Sequence, residues 1–190
     1  MTKIISINKK INNFQKKINV SGDKSLSIRW VLFSSLANGT STAKNLLKSE
    51  DVLAAVNVIK KLGIKVIMNK NVCKIFGKGI DGYKFKKNLT LNAQNSGTLG
   101  RLILGLLVNS PYAIKLIGDK SLSKRDFTRV IIPLKKFGAN FLTNSGKLPI
   151  TIMGTANPKP IKYIESKGSA QVKSSIMLAA LNTKGTTIIK

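Results

Sequence analysis

The octet Gly-Asp-Lys-Ser-Leu-Ser-Ile-Arg at residues 22–29 returns as Gly-Asp-Lys-Ser-Leu-Ser-Lys-Arg at residues 118–125. Each copy joins a glycine that admits close backbone approach, small hydroxyls, a mobile lysine charge and a terminal arginine fork, a set suited to holding an anion. Arginine use sharpens this reading. The chain has 33 basic residues, of which only Arg29, Arg101, Arg125 and Arg129 are arginine. Where lysine serves for generic charge, arginine marks positions that need a planar, bidentate donor. Arg29 and Arg125 close the octets, and Arg101 closes a further polar loop, Asn-Ser-Gly-Thr-Leu-Gly-Arg, from Asn95. Arg129 reads equally well as a solvated helix position. A third loop, Gly168–Lys173, offers the Ser169 hydroxyl, the Gln171 amide and the Lys173 charge. Helix capping by Ser, Thr and Asn would account for any one of these loops. Three loops and a second octet, three of them carrying an arginine, point to a shared site for anions.

Other chemistries are poorly supplied. The chain has no histidine, which removes a histidine-based triad and histidine-ligated metal. It has seven acids, and only Glu50–Asp51 are adjacent; neighbours on a helix do not face one another, so no paired-carboxylate centre is expected. Neither a metal nor a cofactor is expected. Cys73, the single cysteine, sits in a strand-like run and reads as structural in a reducing compartment. No apolar run reaches the roughly 18 residues of a membrane span, and the amino terminus lacks a signal-peptide pattern, so a cytoplasmic location is expected. The net charge of +26 suggests nucleic acid, but the lysines are scattered and aromatics make up only 6% of the chain, so no stacking platform is evident. With 17 asparagines as well, the excess reads as a compositional bias toward Lys and Asn.

The elements that position these loops repeat. Runs beginning at Ser25, Asn95 and Gly168 each open with small polar residues, continue as an apolar helix and close in a turn at Asn38, Asn109 or Asn182 before a β-like run. Residues 51–67 and 126–142 repeat an amphipathic helix, a glycine stop at Gly63 or Gly138 and a strand. Pro133 is expected to kink or shorten the second of these helices. The fold class is therefore α/β (α+β), built from units of about 70–75 residues: about 19–90, 91–163 and a third, incomplete unit from 164 to 190. A repeat protein that stops within a unit leaves an apolar face open, so a longer chain or a partner is expected. If the helices pack in parallel, their N-termini converge on one polyanionic site.

Gly-Asp-Lys-Ser-Leu-Ser-x-Arg followed by Leu-Ala-Asn-Gly-Thr-Ser and Asn-Leu-Leu-Lys-Ser-Glu-Asp-Val resembles the start of EPSP synthases, the 3-phosphoshikimate 1-carboxyvinyltransferases. Asn-Ser-Gly-Thr-x-x-Arg, the second octet and Gly-Ser-Ala-Gln-Val-Lys-Ser are similar to that family's next three motifs, in order, and the likeness runs from about residue 18. A sibling transferase acting on UDP-N-acetylglucosamine is a poorer match: it typically has Lys-Asn where Lys24-Ser25 stand, and its loop cysteine has no counterpart. The resemblance implies βαβαββ units with buried parallel helices and outer sheets, forming the amino-terminal lobe of an inside-out barrel. It also implies that residues 1–18 form a strand segment belonging to the inter-lobe region.

The implied reaction moves the enolpyruvyl group of phosphoenolpyruvate to the 5-hydroxyl of shikimate 3-phosphate, through a tetrahedral intermediate and without metal, in aromatic amino acid biosynthesis. By motif, Lys24 contacts both substrates at the reacting centre. Ser25 and Arg29 hold the shikimate carboxylate. Asn95, Gly97 and Arg125 hold phosphoenolpyruvate, whose place the inhibitor glyphosate takes; a methyl on Gly97 would intrude there. Ser169 and Ala170 contact the shikimate phosphate, and Gln171 lies between the ligands. Thr98, Arg101 and Lys173 are supporting. The family's chain is more than twice as long, and its other lobe carries the proton-transferring acids, so this chain alone is expected not to turn over. A proline that usually follows the second Lys-Arg is replaced by Asp126, an acid beside Arg125.

Overall fold

The computed structural model describes residues 4–10, 13 and 15–190. The first repeat comprises α1 (Lys24–Leu36), β1 (Asn38–Lys44), α2 (Glu50–Lys61), β2 (Lys65–Met68) and β3 (Val72–Lys78). The second comprises β4 (Leu89–Asn92), α3 (Gly97–Leu106), β5 (Ile114–Ile117), α4 (Thr128–Lys136), β6 (Asn140–Asn144) and β7 (Lys147–Met153), with a 3-10 turn at Leu122–Lys124 between β5 and α4. The third run is β8 (Lys162–Tyr163), α5 (Ala170–Ala180) and β9 (Ile188–Ile189). The second repeat thus carries the full βαβαββ order expected from the sequence.

The sheets share one wiring. In the second repeat the order is β4-β5-β7-β6, with β4 parallel to β5 and the other pairs antiparallel. In the first the order is β1-β3-β2, all antiparallel, so β1, β3 and β2 occupy the places of β5, β7 and β6. Among the described residues no strand takes the place of β4 there, and none lies beside the outer edge of β1. The parallel pair β8–β9 repeats the pair β4–β5.

α3 lies at the centre. Every residue from Gly97 to Leu106 is buried except the half-buried Arg101. A helix apolar on all sides needs cover on all sides, and α3 touches α1, α2, α4 and α5. Each of its fully buried Leu and Ile side chains contributes about 1.5–3 kcal/mol. Gly105 sets the approach of α3 to α5: a Cβ there would run into the Ser175 carbonyl oxygen, while the Ser175 hydroxyl donates to the Arg101 carbonyl at 2.9 Å. α2 is one-sided by contrast, burying Val52, Ala55, Val56 and Ile59 and exposing Leu53, Asn57 and Lys60. α4 keeps nine residues with Pro133 inside it, three fewer than α2. The turn asparagines of the second and third repeats meet directly, Asn182 Nδ2 donating to Asn109 Oδ1 at 3.1 Å. Arg129, left open by the sequence, ties α4 to the β8–α5 loop through Glu165 at 3.0 Å.

Part of the segment expected to form an inter-lobe strand, residues 1–3, 11, 12 and 14, lies outside the described residues. Residues 4–10 form no strand with the sheets of this chain, and Ile4, Ile5 and Ile7 are exposed.

Candidate functional site

Strand order dictates which loops are neighbours. β4 and β5 run parallel and adjacent, so the loops leaving their carboxyl ends lie side by side, the place where open α/β sheets carry their ligands. The first of these loops leads into α3 and the second is the octet from Gly118. They are joined where the Asp119 amide donates to the Gln94 carbonyl at 2.9 Å and Arg125 Nη2 donates to Asn95 Oδ1 at 3.4 Å.

The helix starts share one capping plan. Asp23, Ser96 and Ser169 cap α1, α3 and α5, each accepting from the amide three residues on: Leu26 at 2.7 Å, Leu99 at 3.3 Å and Val172 at 3.3 Å. The cap takes the third helical N–H. The first two, at Lys24 and Ser25, Gly97 and Thr98, and Ala170 and Gln171, have no protein acceptor among the described residues. Such free amides carry the positive end of each helix dipole.

These starts face a common cavity of about 710 Å³, lined by Lys24, Ser25, Asn95, Ser96, Gly97, Thr98, Arg125 and Gln171, together with Ser49, Glu50 and Asp51 at the start of α2. Four helices that pack side by side therefore run in one direction, with their amino ends at the same hollow. Two guanidinium groups converge in front of Gly97: an added Cβ would lie 2.9 Å from Arg101 Nη1 and 3.1 Å from Arg125 Nη1. A side chain at Gly97 would displace one or both of these guanidinium groups.

Not every candidate residue lines this cavity. Arg29 sits one turn down α1, half-buried, and its guanidinium donates to the Ser174 hydroxyl of α5 at 3.3 Å and to the Ser25 carbonyl at 3.4 Å. It is thereby held between the starts of α1 and α5. Ser169 is occupied as a cap, while Ala170 and Lys173 stand on the first turn of α5 beside Gln171. Arg101 donates to Gln171 Oε1 at 2.9 Å and to the Asp126 carbonyl at 3.2 Å, with its guanidinium carbon 5.0 Å from the centre of the Phe127 ring. Burial pulls the Arg101 pKa below its ordinary value, and Arg125 and Arg129 push the same way, against Asp126.

Asp126 turns away from its neighbour Arg125. Its carboxylate accepts from the Thr128 amide at 2.7 Å, at the start of α4. Hydrogen bonds from the Thr128 side chain and backbone hold its pKa below the ordinary aspartate value.

Sequence reasoning missed the α2 contribution. Asp51 Oδ2 lies 2.9 Å from Lys24 Nζ, with the Asp51 side chain only 17% exposed. Ser49 also lines the cavity, and its buried hydroxyl oxygen has no partner among the described residues. The available signal was the acid pair Glu50–Asp51 in the first helical turn, where the dipole favours negative charge. What it would face was invisible until α1 packed on α2.

The chain matches the family described as EPSP synthase (3-phosphoshikimate 1-carboxyvinyltransferase) over residues 8–190. Proteins named 3-phosphoshikimate 1-carboxyvinyltransferase from Streptococcus pyogenes serotypes M2 (strain MGAS10270) and M1 are each 43% identical over 175 residues, covering 91% of this chain and 40% of theirs. Two solved structures of EPSP synthase from Acinetobacter baumannii superpose with TM-scores of 0.87 and 0.86 at 36% and 35% identity, each covering 92% of this chain and 40% of the other. The chain thus spans about 40% of the length of these relatives.

Proposed function

The chain belongs to the EPSP synthase family, and we propose on that premise that its cavity binds shikimate 3-phosphate and phosphoenolpyruvate for enolpyruvyl transfer to the shikimate 5-hydroxyl. The observation that carries this reading is the convergence of three capped helix starts, Lys24 and Arg125 on one cavity. Two substrates bring two phosphates and two carboxylates together, and their mutual repulsion must be offset by dipoles and cations already in place. Holding the pair in register also removes much of the entropic cost of a bimolecular step.

In this reading Lys24 stands between the substrates, with Asp51 keeping its ammonium in place until anions arrive. Arg125, Asn95 and the amides at Gly97 and Thr98 take phosphoenolpyruvate. Ser25 and Arg29 take the shikimate carboxylate. Ser169 and Ala170 take its phosphate, Gln171 lies between the two ligands, and Lys173 adds charge at the α5 start. The oxygen of the 5-hydroxyl bonds to C2 of phosphoenolpyruvate and gives up its proton, while the C2=C3 electron pair takes a proton at C3. Inorganic phosphate then leaves C2 as C3 loses a proton, and the enol double bond is restored. The residues that line the cavity from this chain bind and orient; we assign the proton transfers to a second lobe, which the resemblance implies as partner, and expect no turnover from the 190 residues alone. A cytoplasmic location completes the proposal.

Calorimetric titration tests it. Shikimate 3-phosphate is expected to bind, with phosphoenolpyruvate or glyphosate binding more tightly once it is present. Binding of UDP-N-acetylglucosamine instead would assign the cavity to the sibling transferases. Ordinary turnover by the isolated 190 residues, measured as phosphate release, would overturn the division of labour.

A further inference from the structure

Arg101 has no carboxylate partner among the described residues. Its guanidinium instead meets three neutral oxygens, on Gln171 at 2.9 Å, Gly97 at 3.4 Å and Asp126 at 3.2 Å, the last two being backbone carbonyls. Both Nη1 hydrogens are used, one on Gly97 and one on Gln171. A guanidinium only donates, so the Gln171 side-chain oxygen is the atom that must face it. The other end of the same amide, Nε2, donates to Thr98 Oγ1 at 3.1 Å. One Nε2 hydrogen is then left without an acceptor among the described residues, on a side chain that lines the cavity.

We infer that Arg101 is a positioning residue that fixes the Gln171 amide so that the cavity meets an N–H donor and never the carbonyl oxygen. A glutamine amide is ambivalent: turned by half a revolution, it would present lone pairs to the ligand. Against carboxylate or phosphate that orientation repels, and an unheld amide would have to be ordered at the moment of binding. Arg101 removes the choice in advance. The Gly97 and Asp126 carbonyls hold the guanidinium, and the Phe127 ring lies 5.0 Å beneath it. This inference rests on the reading of the cavity as a site for anionic substrates.

Two measurements on the full chain separate that reading from the relay. With glutamine labelled in its side-chain nitrogen, magnetic resonance should show two distinct, slowly exchanging Gln171 amide protons in the free protein; Arg101→Met should merge or broaden them, and Arg101→Lys should restore them in part. In a calorimetric cycle with shikimate 3-phosphate, Arg101→Met and Gln171→Ala should each weaken binding about tenfold, the order of one hydrogen bond to a charged group. The double variant should then bind no more weakly than the poorer single variant. Additive losses, or an unchanged Gln171 amide in Arg101→Met, would overturn the relay. Should Arg101→Met fail to fold, Thr98→Val frees the other end of the amide and must change the same protons. A native chain that binds neither substrate, with the amide still fixed, would refute the proposed function and leave the orientation standing.

Discussion

The two octets are the same sequence at seven of eight positions, and they begin alike. In the first, Asp23 accepts from the Leu26 amide through its side chain at 2.7 Å and from the Ser27 amide through its carbonyl at 3.0 Å. In the second, Asp119 accepts from Leu122 at 2.7 Å and from Ser123 at 2.9 Å in the same way. Their continuations part company. The first runs on as the thirteen-residue α1, whereas the second stops after the three residues Leu122–Lys124, and Arg125 is extended. The difference starts at the one unlike position. Ile28 is fully buried and is followed by Val31, Leu32 and Leu36 at helical spacing; Lys124 is exposed and is followed by Asp126. The octet specifies a cap, and the residues after it specify how far the helix runs.

The largest test of this contrast concerns a leucine that the octets share. Leu26 is 68% exposed, while Leu122 is fully buried under β7 and the α3 start. Leu122→Ala should cost about 2–5 kcal/mol by urea unfolding, the range for emptying a core site. Leu26→Ala should stay within about 0.5 kcal/mol, as surface changes do. Equal losses would mean that the two turns are packed alike and that the contrast is false.

Function should divide the shared lysine just as sharply. Lys24 lines the cavity and pairs with Asp51, whereas Lys120 is exposed and lines nothing there. Lys24→Met should weaken shikimate 3-phosphate binding by about tenfold or more, given a charged hydrogen bond lost. Lys120→Met should change it less than about twofold, a surface-charge effect screened by salt. A matching loss at Lys120 would make the octets functional twins.

The caps should behave identically. Asp23→Ala and Asp119→Ala should each cost about 1 kcal/mol, and the asparagine variants almost nothing, because the amide oxygen keeps the bond. A silent Asp119→Ala would show that its cap is incidental to the turn.

These contrasts mark how far the sequence could be read. The helix around 51–61 was legible from amphipathic spacing and the glycine stop at Gly63, and those around 97–106 and 170–180 from small polar residues that open an apolar run. The complete second repeat was legible because residues 126–142 repeat the helix, glycine stop and strand of residues 51–67. The Lys24–Asp51 and Arg129–Glu165 pairs were not, since their members are brought together only by α1 packing on α2 and by the β8–α5 loop meeting α4. Nor could the β-branched residues Ile4, Ile5 and Ile7 say which strand would accept them: composition sets a preference for pairing, and a partner edge decides it. From sequence alone, Asp126 reads as a partner or rival of Arg125. Its carboxylate is instead committed to the Thr128 amide, a geometry set by where α4 restarts.

That commitment gives the smallest and most specific effect. After Arg29 the chain continues into Trp30 within α1; after Arg125 it meets an acid that opens a new helix. The Asp126 pKa is lower in the folded chain, so folding favours its carboxylate. Its contribution is fully present above the ordinary aspartate value of about 3.9 and is lost as pH falls through the lower folded value. The Asp126→Asn variant keeps an oxygen to cap Thr128 and does not titrate. Thermal melting of the native protein and this variant should therefore give a nearly constant difference from pH 7 to about pH 4.5, and below about pH 4 the native protein should lose stability relative to the variant. Because Asp126 is exposed, the shift should be small and should shrink in salt. Parallel melting curves across the whole range would show that the acid is not what restarts the helix, and the contrast between the octets would then rest on Ile28 against Lys124 alone.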